Sequence, residues 1–198
     1  MNFGYGISGA MFQPNLKQES LTGAYAGGLS FKYRGEKYIG FQADLNYSHR
    51  GYKLAPPQDT TTTRTLNSIM LPIMAQGTIG YKKLVVIINL GCYASYMLNS
   101  KVEKSFNGIS AKDNYEFILA RDHRYEFGAL AGAGFYFDLN PILVQLEARY
   151  YYGLTNLLNP NYMLNKPYDS RQYQLLISAG LFFDLGTLFN RESKLTKN

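Results

Sequence analysis

Large and small side chains alternate with a period of two along most of this chain, and no other feature restricts its folding so tightly. In the first segment Phe3, Tyr5, Ile7 and Met11 alternate with Gly4, Gly6, Ser8 and Ala10. The pattern recurs through Leu29, Phe31 and Tyr33, then through Ile39, Phe41, Ala43, Leu45 and Tyr47. It returns at Ile69, Leu71 and Ile73, at Val86, Ile88 and Leu90, and at Phe127, Ala129 and Ala131. Val144, Leu146, Ala148 and Tyr150 carry it on, and Leu175, Ile177, Ala179 and Leu181 complete it. A period of two places successive side chains on opposite faces of an extended strand, whereas a helix repeats every 3.6 residues. Eight segments follow the rule, and most reach the roughly 9–11 residues that a tilted strand needs to cross a bilayer.

The connections sort by length. Tight turns are expected at Arg34 to Lys37, at Tyr81 to Lys83 and at Asp138 to Pro141. Longer polar loops are expected near 13–20, 52–66, 98–123 and 154–171. Short and long connections thus alternate strictly, as in outer-membrane barrels with short periplasmic turns and longer extracellular loops. The aromatic residues sort by height as well. Phe3, Tyr5, Phe31, Tyr33, Tyr81, Phe135, Phe137 and Phe183 fall near the tight turns; Tyr47, Tyr96, Tyr125, Tyr150, Tyr152 and Tyr173 fall near the long loops. Ala, Leu, Ile and Val fill the outward positions between, giving an apolar band with a girdle at each edge. A soluble sandwich explains the alternation but not the girdles.

These features predict an all-β fold, an eight-stranded antiparallel up-and-down transmembrane β-barrel over residues 1–185, followed by a C-terminal tail, 186–198. Hydropathy does not report it: the mean hydropathy is −0.22, and the apolar run Leu84 to Ile88 stops at Asn89. Barrels escape that test because lipid-facing and lumenal residues alternate. The chain has 18 Tyr, 12 Phe and 19 Gly but no Trp, a composition suited to many short strands. Its single cysteine leaves no internal disulfide. Outer-membrane localisation requires an export signal, yet Asn2-Phe3-Gly4-Tyr5 already reads as a strand. The signal is therefore expected to have been removed.

Several short patterns resemble a known family in their order and spacing. Phe41-Gln42-Ala43-Asp44-Leu45-Asn46-Tyr47-Ser48-His49-Arg50-Gly51 is similar to a strand ending in Tyr-Ser-x-x-Gly, and Leu71-Pro72-Ile73 to an Ile-Pro-Leu element. Asn89-Leu90-Gly91 through Leu98, and Glu147-Ala148-Arg149-Tyr150-Tyr151-Tyr152-Gly153-Leu154-Thr155-Asn156, continue the series. Together they resemble the PorT-like outer-membrane β-barrel family of Bacteroidetes-type bacteria. That resemblance implies an outer-membrane, eight-stranded barrel. The namesake serves the type IX secretion and gliding system; many relatives have no assigned role. Pro72 cannot donate to a sheet ladder, so it requires a bulge or an unpaired position.

An eight-stranded barrel has an interior just wide enough for its own side chains, so charges directed into it need partners. By parity Asp44, Arg50, Glu126, Glu147 and Arg149 point inward. They are expected to form an ion-pair and hydrogen-bond plug with Gln42, Gln145, Gln174 and Tyr136. A proton path or a catalytic carboxylate pair is the functional alternative. Only His49 and His123 are available to a nucleophile or a metal, and neither has a Ser and an acid at an orienting spacing, so no enzyme activity, cofactor or metal is expected. Cys92 reads as a small lipid-facing residue.

The formal charge of +6 collects near the long loops. Lys53, Arg64, Lys101, Lys104, Arg121 and Arg124 are candidate contacts to the phosphates of lipopolysaccharide, with Lys112, Lys166 and Arg171 nearby. A merely solvated basic surface explains them equally well. Nucleic acid is not an expected partner, because the tyrosines belong to the girdles. Two functions remain. One is an accessory or scaffold barrel docked on a larger outer-membrane or periplasmic assembly. The other is a stand-alone surface barrel that binds a ligand, lipopolysaccharide or another cell through its extracellular loops, above all that between strands five and six.

Overall fold

The structure, a computed structural model, describes residues 1–13, 18–35, 38–54, 60–81, 83–106, 109–114, 123–139, 141–156 and 169–184. The proposed boundary at 185 and the tail beyond it lie outside these residues. The strands are β1 (Asn2–Gln13), β2 (Gln18–Arg34), β3 (Ile39–Leu54), β4 (Thr60–Tyr81), β5 (Leu84–Phe106), β6 (Ile109–Asn114), β7 (Tyr125–Asp138), β8 (Ile142–Gly153) and β9 (Asp169–Phe183).

Eight of them form an antiparallel ring in which β1 to β5 pair in sequence, β5 continues to β7, and β8 and β9 follow. The ring closes where β1 pairs with β9, from Asn2 opposite Gly180 to Gln13 opposite Asp169. Closure removes the unpaired strand edges that lipid cannot hydrate. The tight turns lie at one end and are bonded to one another: Asp138 N–H donates to the Lys83 carbonyl at 2.9 Å, and Asp184 N–H to the Pro141 carbonyl at 2.9 Å.

Burial is inverted relative to a soluble domain. Gln42, Asp44, Ser48, Arg50, Gln145, Glu147, Arg149 and Gln174 are buried, whereas Phe3, Phe31, Leu45, Ile73, Leu90, Phe127, Ile177 and Leu181 stand exposed on the outer wall. An apolar surface that encircles the molecule is incompatible with a water-soluble monomer and matches a lipid-facing band. Cys92 is among the exposed wall residues.

Pro72 occupies the unpaired position that its chemistry demands. On the β3 side the ladder lapses between Ala43 opposite Ile73 and Asn46 opposite Met70, then resumes in the same register, so no bulge forms there. The register shifts lie elsewhere. Gly23 provides one in β2 with φ 92°, a left-handed conformation that glycine adopts without strain. Another falls on β4 and β5 between Asn67 and Ser68.

The long-loop end departs from expectation. The described residues within 52–66 and 98–123 lie mostly in strands, not in loops. β3 runs on to Leu54, β4 begins at Thr60, and β5 reaches Phe106 before β6 returns beside it. A strand of 23 residues is about 75 Å long along its own axis, far more than a tilted crossing of a ~25 Å apolar band needs. The surplus of β2 to β5, with β6 added, forms a sheet that stands beyond the membrane on one side of the ring. β6 is last in that sheet and pairs on one side only among the described residues.

Candidate functional site

Two places bring polar side chains together: the lumen and the outer wall of the upper sheet. The lumen is built in layers. At the tight-turn end Arg34 bridges Asp138 at 2.7 Å and Asp184 at 2.8 Å. Just inside, the Lys32 ammonium donates to Gln145 Oε1 at 2.6 Å and lies 4.2 Å from the centre of the Tyr136 ring, a cation held by an aromatic face.

The next layer contains Asp44, Glu147 and Arg149. Arg149 NH1 meets Asp44 Oδ2 at 2.5 Å, and its NH2 faces Glu147. Gln42 Nε2 donates to Asp44 Oδ1, and Gln145 Nε2 to Glu147 Oε1 at 2.9 Å. Asn89 donates to Glu147 and accepts from Gln76. Each carboxylate thus has a cation and an amide partner, as a buried charge requires.

A separate layer lies beyond it. Arg50 holds Glu126 through both terminal nitrogens, at 3.2 and 2.6 Å, and also donates to Ser95. The Tyr93 hydroxyl donates to Glu126 Oε1 at 2.6 Å. Tyr93 and Tyr151, in edge-to-face contact with centroids 5.5 Å apart, stand between the two charged groups. Above them Arg64 donates to Ser100 and Tyr52, under an apolar cap of Phe12, Tyr52, Leu66 and Met97.

Glycines on β7 make room for this filling. A Cβ at Gly128 would lie 2.3 Å from the Tyr93 ring and 2.4 Å from the Tyr152 carbonyl oxygen, and one at Gly134 would meet the backbone and Cβ of Glu147. Gly128→Ala should therefore displace Tyr93 from Glu126 and cost about 1–3 kcal/mol. Denaturant titration of the refolded barrel reads that loss, and an unchanged midpoint would show that the ring is not held there.

Within the expected plug the charges divide into two groups. All five inward charges are buried, but Arg50 and Glu126 form one cluster and Asp44, Glu147 and Arg149 another. Tyr136 joins Lys32 at the tight-turn end, and Gln174 accepts from Ser48 at 3.4 Å. Parity gives the face of a residue but not its height. Lys32, Gln76 and Asn89 were missed as partners, although each lies on the inward parity of its strand.

The basic candidates also divide. Arg64 is 5 % exposed inside the ring, so it is not available to lipid from the outer wall. Lys104 pairs with Thr62, on the face continuous with the lumen. Arg124 is half-buried. Arg121 lies outside the described residues, as do the side chains of Lys112 and Lys166. Lys53 and Lys101 stand on the outward face, Lys53 bonded to Glu19 at 2.8 Å.

His49 is outward as well, stacked on Tyr25 at 4.9 Å, with its Nδ1 2.5 Å from Asn67 Oδ1. The same-face neighbours along its strand are Tyr47 and Gly51, and across the ladder Thr65 stands opposite Gly51. No group of three or more His, Cys, Asp or Glu residues suited to a metal occurs among the described residues.

The family model described as "Outer membrane protein beta-barrel domain" matches residues 1–159. No curated protein matches the chain. Among solved structures, the chain is similar to Ail, the attachment invasion locus protein of Yersinia pestis. The identity is 14%, with 91% of this chain and 94% of that chain covered, and the TM-score is 0.44. A second structure of Ail, in complex with the heparin analogue sucrose octasulfate, gives 14% identity, the same coverage and a TM-score of 0.41.

Proposed function

Because the chain belongs to the outer membrane protein β-barrel domain family, and so resides in the outer membrane, we propose that it works without catalysis, presenting a β-sheet at the cell surface to a binding partner. The upper sheet carries this reading. Strands β4 and β5 run well past the apolar band, and the β5–β6 hairpin ends in a strand with one side unpaired among the described residues. Such an edge offers backbone donors and acceptors to an added strand, with alternate side chains setting specificity. The filled lumen supports the same reading, since its charges are engaged with one another.

A second reading is an accessory or scaffold subunit, secretion-associated or of unassigned role, as the resemblance to PorT-like barrels implies. A filled lumen favours it equally, because contacts are then left to the wall and the periplasmic end.

One experiment separates the two. The tagged protein is purified from outer membranes in mild detergent, intact and with residues 101–114 removed. Surface recognition predicts that the shortened barrel still folds, shown by a gel shift between unboiled and boiled samples, but loses the proteins recovered with the intact form. Recovery of the same assembly with both forms overturns that prediction and supports the accessory role.

A further inference from the structure

Along the wall of β3, β4 and β5 the outward face changes character within one step of the ladder. Tyr47, Ile69, Tyr96 and Tyr125 lie side by side in one row, with Tyr96 and Tyr125 in ring contact at 5.1 Å. This row is the upper aromatic girdle, which marks the border between hydrocarbon and headgroups. In the next row out, His49 stands opposite Asn67, and Asn67 opposite Asn99. Thr65 and Lys101 face each other in the row above. Rows that are two residues apart along a strand are separated by about 7 Å, so these side chains sit at headgroup height.

The polar row is internally ordered. With Asn67 Oδ1 accepting from His49 Nδ1, its amide nitrogen donates to Asn99 Oδ1 at 2.6 Å. That direction leaves the amide nitrogen of Asn99 as a donor with no partner among the described residues. His49 Nε2 has no described partner, and the exposed Lys101 ammonium has none either. The nearest carboxylates on this face are otherwise engaged: Glu19 holds Lys53, and Glu103 also has a partner. A fixed amide donor, a hydroxyl and a cation on adjacent strands suit a tetrahedral oxyanion. Lipid necessarily covers this stretch of wall.

We infer that His49, Thr65, Asn67, Asn99 and Lys101 form a wall site for the phosphate-bearing headgroup of an anionic glycolipid of the outer leaflet. Asn67 and Tyr25 position the site, Asn99 and Lys101 take the phosphate oxygens, and the tyrosine row below lies against the acyl chains. The phosphate is lipid-borne and not free, because the donors face the bilayer border and not an enclosed pocket.

Native mass spectrometry of the folded barrel in a neutral maltoside detergent tests the site. Bisphosphorylated lipid A, its dephosphorylated form and inorganic phosphate serve as probes. Lys101→Glu and Asn99→Asp are expected to weaken binding of bisphosphorylated lipid A by about tenfold, and dephosphorylated lipid A should bind the native barrel about as weakly. Lys104→Glu changes the net charge equally but lies on the opposite face of β5, and it should leave binding unchanged. All three substitutions are at exposed positions, and a gel shift on boiling verifies folding; if Asn99→Asp does not fold, the pair of lysine variants suffices. An equal loss with Lys104→Glu, equal binding of the two lipid forms, or displacement of lipid A by an equal concentration of inorganic phosphate would overturn the assignment.

Discussion

Arg149→Met is expected to destabilise the folded barrel by about 3–5 kcal/mol, a large share of the stability of a domain this size. Arg149 is 1 % exposed, and its guanidinium is the cation shared by Asp44 and Glu147. Its removal leaves two carboxylates inside a closed ring, bonded only to neutral amides. The penalty arises from desolvated charge that has lost its partner, and much less from the attraction itself. Replacing all three members together, as Arg149→Met with Asp44→Asn and Glu147→Gln, should therefore recover most of the loss. Equilibrium urea titration of the barrel in short-chain lipid vesicles measures both. A single-variant loss under about 1 kcal/mol would mean that water reaches this layer and that the lumen is not sealed.

Leu90→Arg has the second largest expected effect, because it acts on the other face of the same wall. Leu90 is 63 % exposed to the surroundings and stands midway between Leu84 and Tyr96 on the outward face of β5. In water such a change would be harmless. At the bilayer midplane a cation on the lipid face costs about 2–4 kcal/mol, falling to about 0–1 near the interface. Leu84→Arg, beside the tight turn, should thus be tolerated. Equal tolerance of both substitutions in the same titration would contradict a membrane-spanning wall.

The sequence predicts the faces of the strands well, because a closed barrel makes the period of two absolute: lumen on one side, lipid on the other. Asp44, Arg50, Glu126, Glu147 and Arg149 are therefore legible as inward from parity alone. Their grouping is not. Which charges meet depends on the height each reaches, and that is set by the register of each strand pair, which parity does not give. Parity also fails across a bulge. Below Asn67 the outward residues of β5 are even-numbered, Leu84 to Leu98; above it they are Asn99 and Lys101. Lys101 and Lys104 thus look alike in sequence yet lie on opposite faces.

The upper sheet was hidden for a related reason. Outside the membrane both faces of a strand are wet, so Thr61 to Thr65 and Lys101 to Ser105 show no large-small alternation and read as loop. Their β-branched residues, Thr61 to Thr63, Thr65 and Val102, were the remaining signal. The row of His49, Asn67 and Asn99 was also invisible, since these residues come from three strands and only the register aligns them.

The central claim is a barrel that crosses the outer membrane with its tight turns in the periplasm and its extended sheet outside. Single cysteines at two positions, introduced in a Cys92→Ala background, test it most directly. Cells carrying Lys104→Cys or Lys83→Cys are treated with a membrane-impermeant maleimide, before and after the outer membrane is permeabilised. Lys104, exposed on the upper sheet and off the lipid-facing wall, should label as cysteine on intact cells, whereas Lys83→Cys should label only after permeabilisation. Labelling of Lys83→Cys on intact cells, with Lys104→Cys protected, would contradict a barrel in this orientation.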